Sequence, residues 1–213
     1  MGLTTLLALA LACTPATGAA RQRITVDTPS AAATTASLRL WRRSGSCWLP
    51  AAGPWPARVG RNGVSAHHRE GDGTTPIGTF GIGPSMYGSK PDPGVHYRYH
   101  RIVCGDWWSE DADSPTYNTF QHVRCGTRPP FRAESEGLWK PTAAYGHFAV
   151  IDYNAHPAVP GRGSAIFLHV GTGGPTNGCV SLPPNDLDRL LRWLLPTDRP
   201  RIVIATSAEI RRF

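Results

Sequence analysis

The segment with the clearest chemical content runs from Phe167 to Ser181 and reads FLHVGTGGPTNGCVS, an apolar strand carrying a histidine, a glycine-rich loop, then a cysteine between Gly178 and Val180. A thiol attacks carbonyls only as its thiolate, so it needs a base nearby, and His169, ten residues before Cys179, is the candidate. Gly171, Gly173, Gly174 and Pro175 favour a reversal that brings Cys179 back beside the end of the His169 strand. Gly178 has no side chain, so its amide and that of Cys179 are expected to face the oxygen that turns negative in a tetrahedral intermediate. The residue types alone leave another reading open, in which Cys179 is a small buried hydrophobe and His169 a satisfied structural histidine.

The elements that must position this pair are short. With 23 Gly and 20 Pro in 213 residues, turns break the chain too often for long helices, which points to a β-rich class. Two strands stand out, Gly146 to Tyr153 and Ser164 to Val170, both rich in aromatic and β-branched residues. Leu187, Leu190, Leu191 and Leu194 recur at helical spacing after Asn185, an expected N-cap, and Pro196 stops that helix. A final strand is expected over 201–205. His147 lies on a strand with Tyr145 and is a candidate for lining the cleft. Asp152 is not nominated as an acid partner of His169.

Composition bounds the setting. Hydrophobic residues make up 40% and charged residues 17%, which suits a folded chain and one main domain. The formal charge of +7 attracts polyanions. Lysine occurs only at Lys90 and Lys140 and the arginines are scattered, which argues against nucleic acid and leaves anionic lipid or an anionic cell wall as the polyanion, a choice charge alone does not make. Residues 1–20 read as an export signal, with a faint lipoprotein-type alternative at Cys13. The expected location is therefore extracytoplasmic, secreted or attached to the envelope. Residues 21–36, rich in Thr, Ala and Ser, read as a linker, with the domain over 37–213. In an oxidising compartment Cys104 and Cys125, at the two ends of a loop-like stretch, are the plausible disulfide, which leaves Cys47 as the odd one. No cysteine or histidine spacing fits a structural zinc site, and His67 and His68 read as surface residues.

The string HVGTGGPTNGCVSL, followed by a Leu-rich helix, resembles the active-site signature of the L,D-transpeptidase catalytic domain, the YkuD-like family. A second block, EGDGTTPIGTF over 70–80, resembles the Gly-Asp-Gly-x-Thr-Pro-x-Gly segment of that family; by its residues it is first a turn. Trp107 and Trp108, SPTYN over 114–118, IDYN over 151–154 and GRGSAI over 161–166 resemble its actinobacterial branch. The resemblance implies a mainly β, YkuD-like β-sandwich with one α-helix after the cysteine. It implies Cys179 as nucleophile and His169 as base, oriented by a backbone carbonyl. It departs from the common pattern at Asn177, Ser181 and Val170, so Asn177, Ser181 and His147 are the candidate contacts to substrate. The implied reaction joins peptidoglycan stem peptides, a tetrapeptide donor and an amine acceptor, without metal or cofactor, in a protein expected to be a monomer. An L,D-carboxypeptidase or wall-anchoring enzyme would share the site. A wall-binding module without turnover is the reading from another class, and a cysteine protease a remote one.

Overall fold

The structure, a computed structural model, describes residues 14–132 and 135–213, so the expected lipid site at Cys13 and most of the expected signal lie outside the described residues. The architecture is mainly β, as expected. One curled eleven-stranded sheet runs in the order Gly78–Phe80, Arg201–Thr206, Gln22–Thr28, Thr35–Ser44, Cys47–Arg58, Val180–Leu182, Phe167–Val170, Phe148–Ile151, Ile82–Gly88, Arg98–Arg101. The eleventh strand, Thr14–Pro15, pairs with Cys47 and Trp48. A small sheet of Thr119–His122, Asp106–Ser109 and Glu136–Gly137 packs beside it.

The expected linker over 21–36 is corrected by its own alternation. Gln22, Ile24, Val26 and Thr28 are buried in turn along the Gln22–Thr28 strand, which pairs in parallel with Arg201–Thr206 and antiparallel with Thr35–Ser44. Period-two burial with β-branched residues is what a half-buried strand requires. Gln22 is fully buried because it serves the helix end: its Nε2 donates to the Trp193 carbonyl at 2.7 Å and its Oε1 accepts from the Leu195 amide at 2.7 Å. Removing that segment would expose both groups.

The helix spans Pro184–Trp193 and begins two residues earlier than a cap at Asn185 would set, its N-cap being Pro183. Pro184 takes the first helical position, where its fixed φ suits the turn and its missing N–H leaves no donor unpaired. Leu187, Leu190, Leu191 and Leu194 are all fully buried against the main core, each worth about 2 kcal/mol of burial. That core includes Leu168, Val180 and Leu182 on one face of the sheet. On the other face Phe148, Val150 and Phe167 join Trp108, Leu138 and Ile102 in a second cluster, with Cys179 packed at its margin. The small sheet therefore covers the face that carries the cysteine. Among the described residues no helix is long and apolar enough to cross a membrane.

Candidate active site

Register places the pair. The Phe167–Val170 strand runs antiparallel to Phe148–Ile151, with Phe148 opposite His169, and parallel to Val180–Leu182, with Leu168 opposite Val180 and His169 opposite Ser181. Side chains alternate along a strand, so Cys179, two residues before Ser181, lies on the His169 face of the neighbouring strand, one pleat away. The loop between them is anchored from outside. Thr176 donates its amide to the Val59 carbonyl at 2.9 Å, and its carbonyl accepts from the Arg61 amide at 2.7 Å.

Two threonines hold the cysteine itself. Thr176 Oγ1 donates to the Cys179 carbonyl at 2.7 Å, as does Thr75 Oγ1 at 3.3 Å, while Thr75 Oγ1 accepts from the Gly60 amide at 2.8 Å. Thr75 belongs to the EGDGTTPIGTF block, whose turn is built as expected. Gly71 and Gly73 both have φ of +71°, and the Asp72 carboxylate accepts from the Arg69 and Thr74 amides at 2.8 Å. Gly178 has φ of +141°, and a Cβ there would meet the Thr74 carbonyl oxygen at 3.0 Å and Ile166 Cδ1 at 3.2 Å. Its amide donates to Thr176 Oγ1 at 3.1 Å, so it is engaged rather than open as the oxyanion reading expected.

The Cys179 thiol accepts from the Phe167 amide at 3.3 Å and donates to the Ala165 carbonyl at 3.3 Å. Burial pushes its pKa up to about 12, with the Phe167 amide pulling the other way and the charges of Glu110 and Glu136 adding to the rise. The resting group is a protonated thiol. His169 is buried, and its Nδ1–H donates to the Val170 carbonyl at 2.8 Å, which leaves Nε2 as the bare acceptor. Burial lowers the His169 pKa, with the Val170 contact opposing, so the ring is a neutral base at pH 7. The ring of Tyr145 lies edge-on to it at 6.2 Å.

Cys179 and His169 line one cavity of about 470 Å³ together with Asn177. The same cavity is lined by Arg61, Glu110 and Glu136, to which the sequence had not pointed, and by His68, Glu70 and Tyr145, which it had placed in other roles. Arg61 donates to Asn177 Oδ1 and to the Gly71 carbonyl at 3.4 Å. His68, expected at the surface, is buried, with Nδ1 3.0 Å from both Thr74 Oγ1 and Asp72 Oδ1. Burial lowers its pKa, while Asp72 and Glu70 work against that.

The remaining candidates lie elsewhere. His147 precedes the Phe148–Ile151 strand rather than lying on it, and is locked between Asp188 Oδ1 at 2.6 Å and the Pro91 carbonyl at 2.9 Å, outside this cavity, so it ties that segment to the helix. Ser181 is buried and faces a second hollow with Pro56, Gly171 and Pro183. Asp152 lines another cavity with Tyr153 and His156, away from His169. Trp107 and Trp108 are buried; Trp108 Nε1 donates to Asn118 Oδ1 at 2.8 Å, and Trp107 packs edge-on to Trp139 at 4.6 Å. Cys104 and Cys125 form the expected disulfide. Cys47, the expected odd one, is disulfide-bonded as well, and Cys179 is the free cysteine among the described residues.

Among curated proteins and among solved structures nothing matches this chain. A family match does exist, and its start at residue 21 agrees with the strand found where a linker was expected. The sequence model described as YkuD, L,D-transpeptidase catalytic domain, matches residues 21–204, most of the chain, and the protein belongs to that family.

Proposed function

We propose that the protein is a peptidoglycan L,D-transpeptidase in which Cys179 and His169 carry two successive acyl transfers. The observation that supports this best is the shared cavity on one sheet face, with His169 Nδ1 tied to the Val170 carbonyl and Nε2 left to take a proton. In the first transfer His169 Nε2 takes the thiol proton and Sγ attacks the carbonyl on the C-terminal side of the diamino acid in a tetrapeptide stem. The tetrahedral intermediate collapses, the C–N bond to the terminal D-Ala breaks, and the leaving nitrogen takes the proton from His169. In the second transfer an amine of a neighbouring stem attacks the thioester carbonyl, the C–S bond breaks, and Cys179 regains its proton through His169.

The oxyanion formed in each step would be met by the Cys179 amide, joined by that of Gly178 once its bond to Thr176 opens. Arg61, held beside Asn177 at the edge of the cavity, suits a carboxylate of the donor stem. The Cys104–Cys125 disulfide fits an oxidising, extracytoplasmic setting facing the wall.

Incubation with disaccharide tetrapeptide tests the reading. The expected products are D-Ala and a cross-linked dimer, seen by mass spectrometry. Tripeptide without dimer would instead make the protein a carboxypeptidase, and wall binding with neither product would make it a binding module.

A further inference from the structure

The small sheet brings two carboxyl groups to the thiol. Glu110 follows the Asp106–Ser109 strand and Glu136 opens the Glu136–Gly137 strand, with Glu136 in register with Trp108, so both side chains enter the Cys179 cavity from the same covering layer. The Tyr145 side chain lines the same cavity. Glu70 also lines the cavity, held by Ser164 Oγ at 2.7 Å and by the Tyr117 hydroxyl. Among the described residues no arginine, lysine or histidine forms an ion pair with any of the three.

For the first transfer this arrangement is a hindrance, since both Glu110 and Glu136 disfavour the thiolate. It becomes useful in the second. Once the thioester has formed, the sulfur carries no charge, and what must enter is an amine that is an ammonium in water at neutral pH and has to lose a proton before it can attack.

On the transpeptidase reading given above, we propose that Glu110 and Glu136 select and orient the acceptor, the ammonium docking between them and Glu110 accepting the proton released before the nitrogen attacks the thioester. The electron pair freed on nitrogen forms the new C–N bond. His169 takes the second nitrogen proton, the C–S bond breaks, and the sulfur leaves with the proton from His169. Glu110 then returns its proton to solvent, so the site ends as it began. Burial and the neighbouring Glu136 and Glu70 raise the Glu110 pKa to about 8. Glu110 is therefore ionised and able to take the proton as pH rises through that value, where it is closer in basicity to an amine than an ordinary carboxylate and the stem amine is still an ammonium. The other titratable groups facing this space are His169, Tyr145, His68, Arg61 and Cys179 itself.

The test uses the full chain and two acceptors offered to the thioester. At about pH 8.5, where Glu110 is ionised, one is a stem peptide whose side-chain amine is still an ammonium and the other is hydroxylamine, which is neutral. For Glu110→Gln and for Glu136→Gln, the ratio of aminolysed to hydrolysed product should fall about tenfold or more with the stem peptide, whose product is the cross-link, and stay within about twofold with hydroxylamine, whose product is the hydroxamate. Equal loss with both acceptors, or no loss with either, would overturn the acceptor role. Intact mass separates this from the broader reading, because a wild-type protein that never forms the thioester overturns the transpeptidase assignment itself. Glu136→Gln carries the test alone should Glu110→Gln fail to fold.

Discussion

The backbone amide of Phe167 donates to Sγ of Cys179 at 3.3 Å, so the thiol is held by the strand that also carries His169 two residues further on. That contact opposes the rise in the Cys179 pKa, which burial drives. The site therefore rests with a protonated thiol and a neutral imidazole, and it reaches the thiolate only by transfer to His169 Nε2.

The first prediction concerns that transfer. Burial lowers the His169 pKa below the ordinary value of about 6.5, so the base stays neutral at pH 6.5 and loses function only as pH falls through the lowered value. The acid limb of thioester formation should lie below pH 6.5. His169→Ala should slow it about a hundredfold to ten-thousandfold, measured as the rate of D-Ala release across pH 4 to 9. A limb above 6.5 would contradict the neutral resting state.

Gly178 sets the backbone just before the nucleophile. Because its φ of +141° is a region that side chains rarely enter and an added Cβ would press on the Thr74 carbonyl, Gly178→Ala should cost about 1–3 kcal/mol and displace Cys179. Chemical denaturation reads the stability, and thioester yield reads the displacement. A variant with wild-type values of both would remove the argument.

Glu110 makes stability depend on pH in a defined direction. Its carboxyl keeps a proton in the fold up to about pH 8, whereas the unfolded chain loses it near pH 4.3, so native stability falls as pH rises between those values. Glu110→Gln removes that penalty. The variant should be more stable than wild type by about 1–2 kcal/mol at pH 8, after solvent relaxation, and equal to it at pH 4. Urea titrations at the two pH values decide the sign.

The Cys104–Cys125 disulfide closes a loop with a sequence separation of 21 around the Asp106–Ser109 and Thr119–His122 strands. Its entropy should be worth about 3 kcal/mol, so Cys104→Ser with Cys125→Ser lowers the unfolding midpoint by that equivalent. The same change loosens the layer that delivers Glu110 and Glu136. The cross-linking ratio should suffer more than thioester formation, because His169 and Cys179 belong to the large sheet.

How much of this was legible in the sequence depended on distance along the chain. His169, the glycine loop and Cys179 lie in one short segment whose residue types and spacing left a buried structural thiol open, and its resemblance to a family signature is what pointed to the chemistry; the leucine repeat announced the helix. The Gln22–Thr28 strand was hidden by the Ala, Ser and Thr residues that follow it, although Ile24 and Val26 already alternate. Glu70, Glu110 and Glu136 fall in three separate blocks, and only the pairing of the small sheet and the folding of the 60–76 turn bring them to one cavity. His147 misled for the converse reason: the strand position expected for it beside Tyr145 is a local reading, whereas the residue precedes the Phe148–Ile151 strand and its partner Asp188 comes from the helix.

The central claim is that Cys179 becomes acylated by the donor stem. Mixing the purified protein with disaccharide tetrapeptide and mapping the quenched protein by peptide mass spectrometry tests it most directly. The account predicts an adduct on the Cys179 peptide equal to the donor less D-Ala, matched by free D-Ala and absent from Cys179→Ala. An unmodified Cys179 while cross-links accumulate, or a Cys179→Ala variant that still forms them, would contradict it.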